Sequence, residues 1–195
     1  MVICRSPRVY LAGPDVFLPD AVAWGQRKKT ICAQYGLTGV TPLDKIAREP
    51  DCWASLQPWQ VIGRRNEVHI RSSDAMIANI TPFRGPSADV GTVFEIGFMR
   101  ALGRPIFAYA TVATPFTERT LASIVGGVTT RPDGETRDED DMQVERFGRF
   151  DNLMIDAGIA ASGGRIVTRE LPRATRWNDL SVFESCVLQA AAELF

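Results

Sequence analysis

The sequence predicts an α/β fold, a sheet of about five mostly parallel strands with helices on both faces. Two observations carry this. From residue 8 onward, short apolar runs of β type alternate with longer stretches at helical spacing, the pattern of repeated β-α-β units. And Ala75-Met-Ile-Ala-Asn-Ile80 is nearly all apolar, as a strand covered on both faces should be.

The elements follow in order. Arg8-Val-Tyr-Leu-Ala12 is a first strand, ended by Gly13-Pro14. Asp20 to Tyr35 reads as a helix that Gly36 stops, and Leu37 to Thr41 is a second strand that ends at Pro42. Pro58 opens a helix over Trp59 to Ser72, with Val61, Ile62 and Val68 at helical spacing. Ala75 to Ile80 is the third strand. Val90 to Leu102 is a helix closed by Gly103, and Pro105 to Tyr109 is the fourth strand. Arg165 to Thr168 gives a fifth, and Asp179 to Leu194 a closing helix. Between Thr111 and Gly164 the pattern weakens. The acidic, apolar-poor stretch from Arg131 to Asp141 reads as a solvated, mobile loop. No repeat or low-complexity linker marks a boundary, and 195 residues suit one domain over 1–195.

Composition excludes several function classes. The chain holds 22 basic and 23 acidic residues, a net charge of −1. No excess of positive charge is present to track a nucleic-acid polymer or an anionic membrane. No apolar run reaches the roughly 18 residues of a membrane span, and Met1 to Pro7 carries no signal-peptide core. Four scattered cysteines (Cys4, Cys32, Cys52, Cys186) without a CxxC, and a single histidine, His69, argue against a zinc site or a disulfide scaffold. They fit a reducing, cytoplasmic setting. His69 has no motif around it and reads as structural.

In an open parallel sheet, ligands bind beyond the carboxyl ends of the strands. That rule gathers Tyr10 to Pro14, with Gly13 among them, then Asp44 after strand two, and Asn79 with the loop Thr81-Pro-Phe-Arg-Gly-Pro86 after strand three. It sends Asp74, which precedes its strand, to the opposite edge. The loop leads into Ser87-Ala-Asp-Val-Gly-Thr-Val-Phe-Glu95-Ile-Gly97, where Asp89 and Glu95 flank a helix start. A carboxylate among Val93, Phe94 and Ile96 is costly unless paired or used. Near a helix N-terminus Glu95 is expected to stay ionised, and an ionised, partly desolvated carboxylate can attack an electrophilic carbon. Gly91 and Gly97 would let a ligand approach closely. Gly85 to Thr92 has the look of a phosphate loop, but no Lys follows it and Asp89 would repel phosphate. Phe17 lies at the same edge and could stack on a ring; Trp24, Trp53 and Trp59 read as packing residues. Asp44 suits either a contact to a ligand or a turn.

These residues are similar to those of the nucleoside 2-deoxyribosyltransferases along most of the chain. The matching pieces are Tyr10-Leu-Ala-Gly-Pro14 with Phe17, Asp74-Ala-Met-Ile-Ala-Asn79, Pro82-Phe-Arg-Gly85, Asp89-Val-Gly-Thr-Val-Phe-Glu95-Ile-Gly97, Phe147-Gly148 and Asn152-Leu-Met154. The resemblance implies a flavodoxin-like (Rossmann-like) doubly wound domain. It implies exchange of the base of a 2′-deoxynucleoside against a free nucleobase, with no metal or organic cofactor. By that resemblance Glu95 is the nucleophile on C1′, Tyr10 orients it, and Asp89 holds the deoxyribose hydroxyls. Asn152 and Met154 belong to a segment that a neighbouring subunit contributes, so a homodimer or larger assembly is implied.

A carboxylate attacking opposite the departing base passes through an oxocarbenium-like transition state. A second base then attacks the glycosyl ester, and two inversions give retention. Some relatives have an Asp eight residues before the one that opens strand three, where this chain has Asn66. Asparagine has no carboxyl proton to give. Either Asn66 only hydrogen-bonds the base, or the proton comes from Asp44 or water. In related hydrolases of 5′-monophosphates a phosphate-contacting serine stands six residues before the glutamate. Asp89 stands there in this chain, which favours a nucleoside over a nucleotide. The alternatives are an N-glycosidase of the same architecture and a non-catalytic nucleotide-sensing module.

Overall fold

A computed structural model describes residues 5–195; Met1 to Cys4, and with them the first part of the N-terminal segment, lie outside the described residues. The strands are β1 (Arg8–Ala12), β2 (Thr38–Val40), β3 (Ala75–Asn79), β4 (Ile106–Ala110), β5 (Thr129–Thr130), β6 (Thr136–Arg137) and β7 (Ile166–Thr168). The α-helices are α1 (Ala21–Gln34), α2 (Pro58–Ser72), α3 (Val90–Ala101), α4 (Phe116–Ser123), α5 (Leu153–Ala161) and α6 (Ser181–Leu194). Five strands form one sheet in the order β2-β1-β3-β4-β7, every neighbour parallel. This is the flavodoxin-like order, in which the chain reverses its direction of winding between β1 and β3 and leaves a crevice there.

The two-residue period of the strands sorts the core into two layers. Val9 and Leu11 of β1, Ala75 and Ile77 of β3, and Phe107 and Tyr109 of β4 face α1 and α6, packing on Trp24, Cys32, Phe183 and Val187. Tyr10, Ala12, Met76, Ala78, Ile106 and Ala108 face the other way, onto Ile70, Ile96, Met99, Ile155 and Ile159 of α2, α3 and α5. A slip of one residue in β1 would exchange these faces. The parity of the strand is therefore what aims Tyr10 at α2 and α3. At the opposite edge, Asp74 accepts hydrogen bonds from the Arg8 amide (2.8 Å) and from both terminal nitrogens of Arg5 (2.7 and 2.8 Å). It fastens the start of β1 to the start of β3.

The stretch from 111 to 164 differs from its expectation. It contains α4, the β5–β6 hairpin and α5. Helix α5 lies under the sheet with Ile155 and Ile159 buried. Its sequence, LMIDAGIAA, is apolar nearly all round and holds Gly158, so it shows no amphipathic stripe for a periodicity argument to find. The acidic stretch is a small hairpin rather than a plain solvated loop. Its turn passes through Gly134 at φ 88°. Its charges pair with one another, Arg131 with Asp141 and Arg137 with Glu135. Cys32, Cys52 and Cys186 are free. Among the described residues no helix is long and apolar enough to cross a membrane.

Candidate active site

Helix α3 opens beyond the end of β3. Asp89 is its N-cap, and Asp89 Oδ2 accepts from the Thr92 amide at 3.0 Å and the Thr92 hydroxyl at 3.1 Å. The buried stripe of α3 runs Thr92, Glu95, Ile96, Met99, so helical spacing turns an acid inward where an apolar residue would be ordinary. Glu95 is 8% exposed. Its Oε1 accepts from the Tyr10 hydroxyl at 2.6 Å and from Asn66 Nδ2 at 3.3 Å. Three elements thus meet on one oxygen: β1, α2 and α3.

Burial pushes the Glu95 carboxyl up to about 7, helped by the charge of Asp89 and opposed by the donors Tyr10 and Asn66. The expectation of an ionised Glu95 therefore needs correction. The helix dipole acts within the first turn, but Glu95 lies in the second, and the cap itself carries negative charge. Burial, then the neighbouring Glu95, drives the Tyr10 phenol well above its ordinary range, so it stays a donor. Tyr10→Phe should therefore raise the Glu95 pKa above 7. A lost hydrogen bond to a charged group is worth about 1.5–3 kcal/mol, so turnover near neutrality should fall about 10- to 100-fold. The acid limb of the pH–rate profile should move to higher pH. A fall in rate with an unmoved limb would show that Tyr10 does not tune Glu95.

Asn66 Oδ1 is buried and has no partner among the described residues. It is an acceptor beside Glu95, able to take a hydrogen bond from a ligand N–H.

Gly13, Asn79 and Phe17 form the neighbouring rim. Asn79 accepts from the Thr81 amide (3.0 Å) and donates to Asp15 (2.9 Å). Asp15 in turn pairs at 2.7 Å with Lys28, which is 2% exposed and lies over the rings of Tyr109 and Phe183. Asn79 thus holds the rim together. Gly13 passes over it with φ 145°, and a Cβ there would stand 2.6 Å from Asn79 Cβ. Gly13→Ala should cost about 2 kcal/mol or more from the clash and the backbone strain, read as a lower unfolding midpoint. An unchanged midpoint would mean that the rim gives way. Asp15 and Lys28 escaped sequence reasoning. The signal was present: Lys28 lies on the i, i+4 stripe Trp24–Lys28–Cys32, the buried side of α1.

Among the described residues, none of the remaining candidates hydrogen-bonds the Glu95 carboxylate, which is held by Tyr10 and Asn66. Asp44 Oδ2 accepts from the Thr41 amide (3.0 Å) and Oδ1 from Lys29 (2.7 Å), while its carbonyl oxygen lies 2.9 Å from His69 Nε2. Burial opposes its charge, but Lys29 and the Thr41 amide outweigh burial and hold it below the ordinary range. Asp44 therefore has no proton to donate near neutrality. At Gly91 a Cβ would come within 3.1 Å of Asp89 Oδ2. Asn152 caps α5, accepting from the Met154 amide and donating to Glu145. With Met154 it lines a cavity of about 580 Å³ beside Val90, Val93 and Gly97, between α3 and α5. Sequence reasoning also missed Asp151, fully buried, which accepts from the Ser87 hydroxyl (2.5 Å) and the amides of Ala88 (2.9 Å) and Asn152 (2.8 Å). Arg119 stands 3.5 Å from it. No periodicity marks a buried acid in a loop.

The sheet order, with its reversal between β1 and β3, defines a flavodoxin-like α/β protein, and a buried carboxylate held by a phenol lies against β1. Residues 9–154 match the nucleoside 2-deoxyribosyltransferase family, and the chain belongs to it. A 2-desoxiribosyltransferase from Leishmania mexicana is 31% identical, with a TM-score of 0.56 over 76% of this chain and 85% of that one. A conserved protein from Enterococcus faecalis V583 shares the fold at 18% identity, with a TM-score of 0.56 over 97% of this chain and 99% of that one. The uncharacterized protein C191.05c of Schizosaccharomyces pombe is 30% identical over 169 residues, 82% of this chain and 80% of that protein. The chain is a nucleoside-processing enzyme by family.

Proposed function

We propose that the protein is a nucleoside 2′-deoxyribosyltransferase that exchanges the base of a 2′-deoxynucleoside through a covalent deoxyribosyl-Glu95 intermediate. The observation that carries the reading is the Glu95 carboxylate itself. It is buried, held on Oε1 by Tyr10 at 2.6 Å and by Asn66, with no hydrogen bond to Oε2 among the described residues. Oε2 is the attacking oxygen. Tyr10 and Asn66 fix the carboxylate plane, and C1′ passes from one base, which leaves with its bonding pair and takes a proton from water, to the carboxylate and then to the next base, which returns a proton to water. Attack needs the ionised form, so kcat/KM should fall below a pH near 7.

Asp89 Oδ1, free of the cap bonds that fall on Oδ2, takes a sugar hydroxyl, and its charge disfavours a 5′-phosphate there. Asn66 Oδ1 accepts from the base; Gly13, Gly91 and Asn79 shape the rim and Phe17 closes it. Asp44, ionised and held by Lys29, contributes through the turn it builds. Asn152 and Met154 lie on the α5 side of α3, whereas Glu95 faces β1 and α2. They would therefore serve the Glu95 of a second copy. The exposed Val90 (85%), Phe94 (63%), Met154 (72%) and Trp59 (72%) are the apolar surface such an assembly would cover. The setting is cytoplasmic nucleoside salvage.

The test is an incubation of the protein with a 2′-deoxynucleoside, with and without a free acceptor base. A new nucleoside should form only with the acceptor, with ping-pong kinetics. Deoxyribose release that ignores the acceptor would assign a hydrolase instead, and binding without turnover a sensing module.

A further inference from the structure

A cavity of about 570 Å³ opens between the turn after β1, the loop after β3 and the segment before α6. That is an ordinary size for a small-molecule site. Neither Tyr10, Asn66, Asp89 nor Glu95 lines it. Its walls are aromatic and cationic: Phe17, Phe83 and Trp177, with Arg84, Arg173 and Arg176. Phe17 and Phe83 stack with centroids 5.3 Å apart and planes 8° apart, and Trp177 meets Phe83 edge-on at 6.3 Å. The Arg84 guanidinium lies over both phenyl rings, at 5.3 and 4.7 Å. To place it there the Arg84 backbone takes φ 56°, a left-handed conformation that costs a non-glycine residue on the order of 1 kcal/mol.

The charges are unbalanced. No acidic side chain lines the cavity. Among the described residues Arg84 and Arg173 have no carboxylate partner. Arg176 has Glu170, at 3.6 Å, while its Nε is buried and bonds to nothing. Three guanidinium groups thus face one carboxylate in a chain of net charge −1. Arg84 and Arg173 are exposed, Arg84 lies on two rings, and the Arg176 Nε is buried without a partner; together they suit a ligand with both a flat π-face and several anionic oxygens.

We propose that this cavity binds a nucleoside di- or triphosphate, outside the Glu95 crevice. The base lies against Phe83 and Trp177 under Arg84, and the phosphates lie on Arg173 and Arg176. Phe17 borders both this cavity and the rim of the crevice, so an occupant can be felt at the site where nucleosides are handled. The binding itself does not depend on what reaction Glu95 performs.

The experiment is a titration of the intact protein with ATP, GTP, CTP and dTTP, followed by calorimetry and tryptophan fluorescence. Tripolyphosphate and 2′-deoxyadenosine serve as comparators. At least one triphosphate should bind at least tenfold tighter than either comparator. Arg173→Ala should weaken it about tenfold. Arg84→Gly, which relieves the left-handed backbone and leaves folding intact, should do the same. Glu95→Ala should leave the affinity unchanged. Tripolyphosphate binding as tightly as the nucleotides would overturn the proposal in favour of a bare phosphate site. Triphosphate affinity lost in Glu95→Ala but kept in Arg173→Ala would place the ligand in the crevice and overturn it too, as would no binding at millimolar concentration.

Discussion

On the proposed covalent mechanism, Glu95→Ala and Glu95→Gln should lose base exchange by at least about 10⁴-fold, the scale on which an enzyme fails when its covalent nucleophile is removed. Neither methyl nor carboxamide can form the glycosyl ester, so both half-reactions stop, and a raised substrate concentration does not restore them. The Gln variant makes the stronger case. It keeps the shape of the side chain and can still accept from the Tyr10 hydroxyl through its amide oxygen. Loss of turnover with retained nucleoside binding separates the bond-forming role from a positioning one. Exchange within tenfold of the wild type in either variant would sink the covalent mechanism.

The same substitution should stabilise the fold, and the sign follows from linkage. The ordinary carboxyl value of 4.5 stands for the unfolded chain, and burial raises the folded value to about 7. Between these two pH values the folded state keeps a proton that the unfolded state has released. Stability therefore falls as pH rises through this window, and the penalty is complete above pH 7. The gap corresponds to about 3 kcal/mol. Glu95→Gln is neutral at every pH and should not feel it. Its unfolding free energy should match the wild type near pH 4.5 and exceed it by about 3 kcal/mol at pH 8, measured by denaturant titration. Curves that run parallel across pH 4.5 to 8 would show that Glu95 titrates normally. The result would also show that the site is kept at the expense of the core it sits in.

How much of this was legible in the sequence depends on the kind of signal. The sheet was legible because fully buried parallel strands such as Ala75–Asn79 leave continuous apolar runs between turn residues. Tyr10 and Glu95 stood out through the motifs around them, and the strand-end rule brought them to one edge. Helix α5 was hidden because its apolar surface has no polar side to give a period. The ionisation of Glu95 was misjudged because burial is a property of three packed elements, and the sequence displays only the helix. The helical stripe marks Lys28 as buried, but its pairing with Asp15 spans 13 residues, and that of Asp151 with Arg119 spans 32, distances over which local pattern names no partner.

Asp151 shows what such a long-range contact entails. One buried carboxylate receives Ser87, Ala88 and Asn152 together, joining the doorstep of α3 to the cap of α5. Those two stretches are not free to drift apart over evolutionary time. A change that lengthened the side chain at Ser87 would be felt at Asn152, and if a neighbour borrows Asn152, it would be felt in another copy's site. Natural variation at 87–89 and at 151–154 should therefore arrive in pairs, as an inheritance shared by two segments more than sixty residues apart.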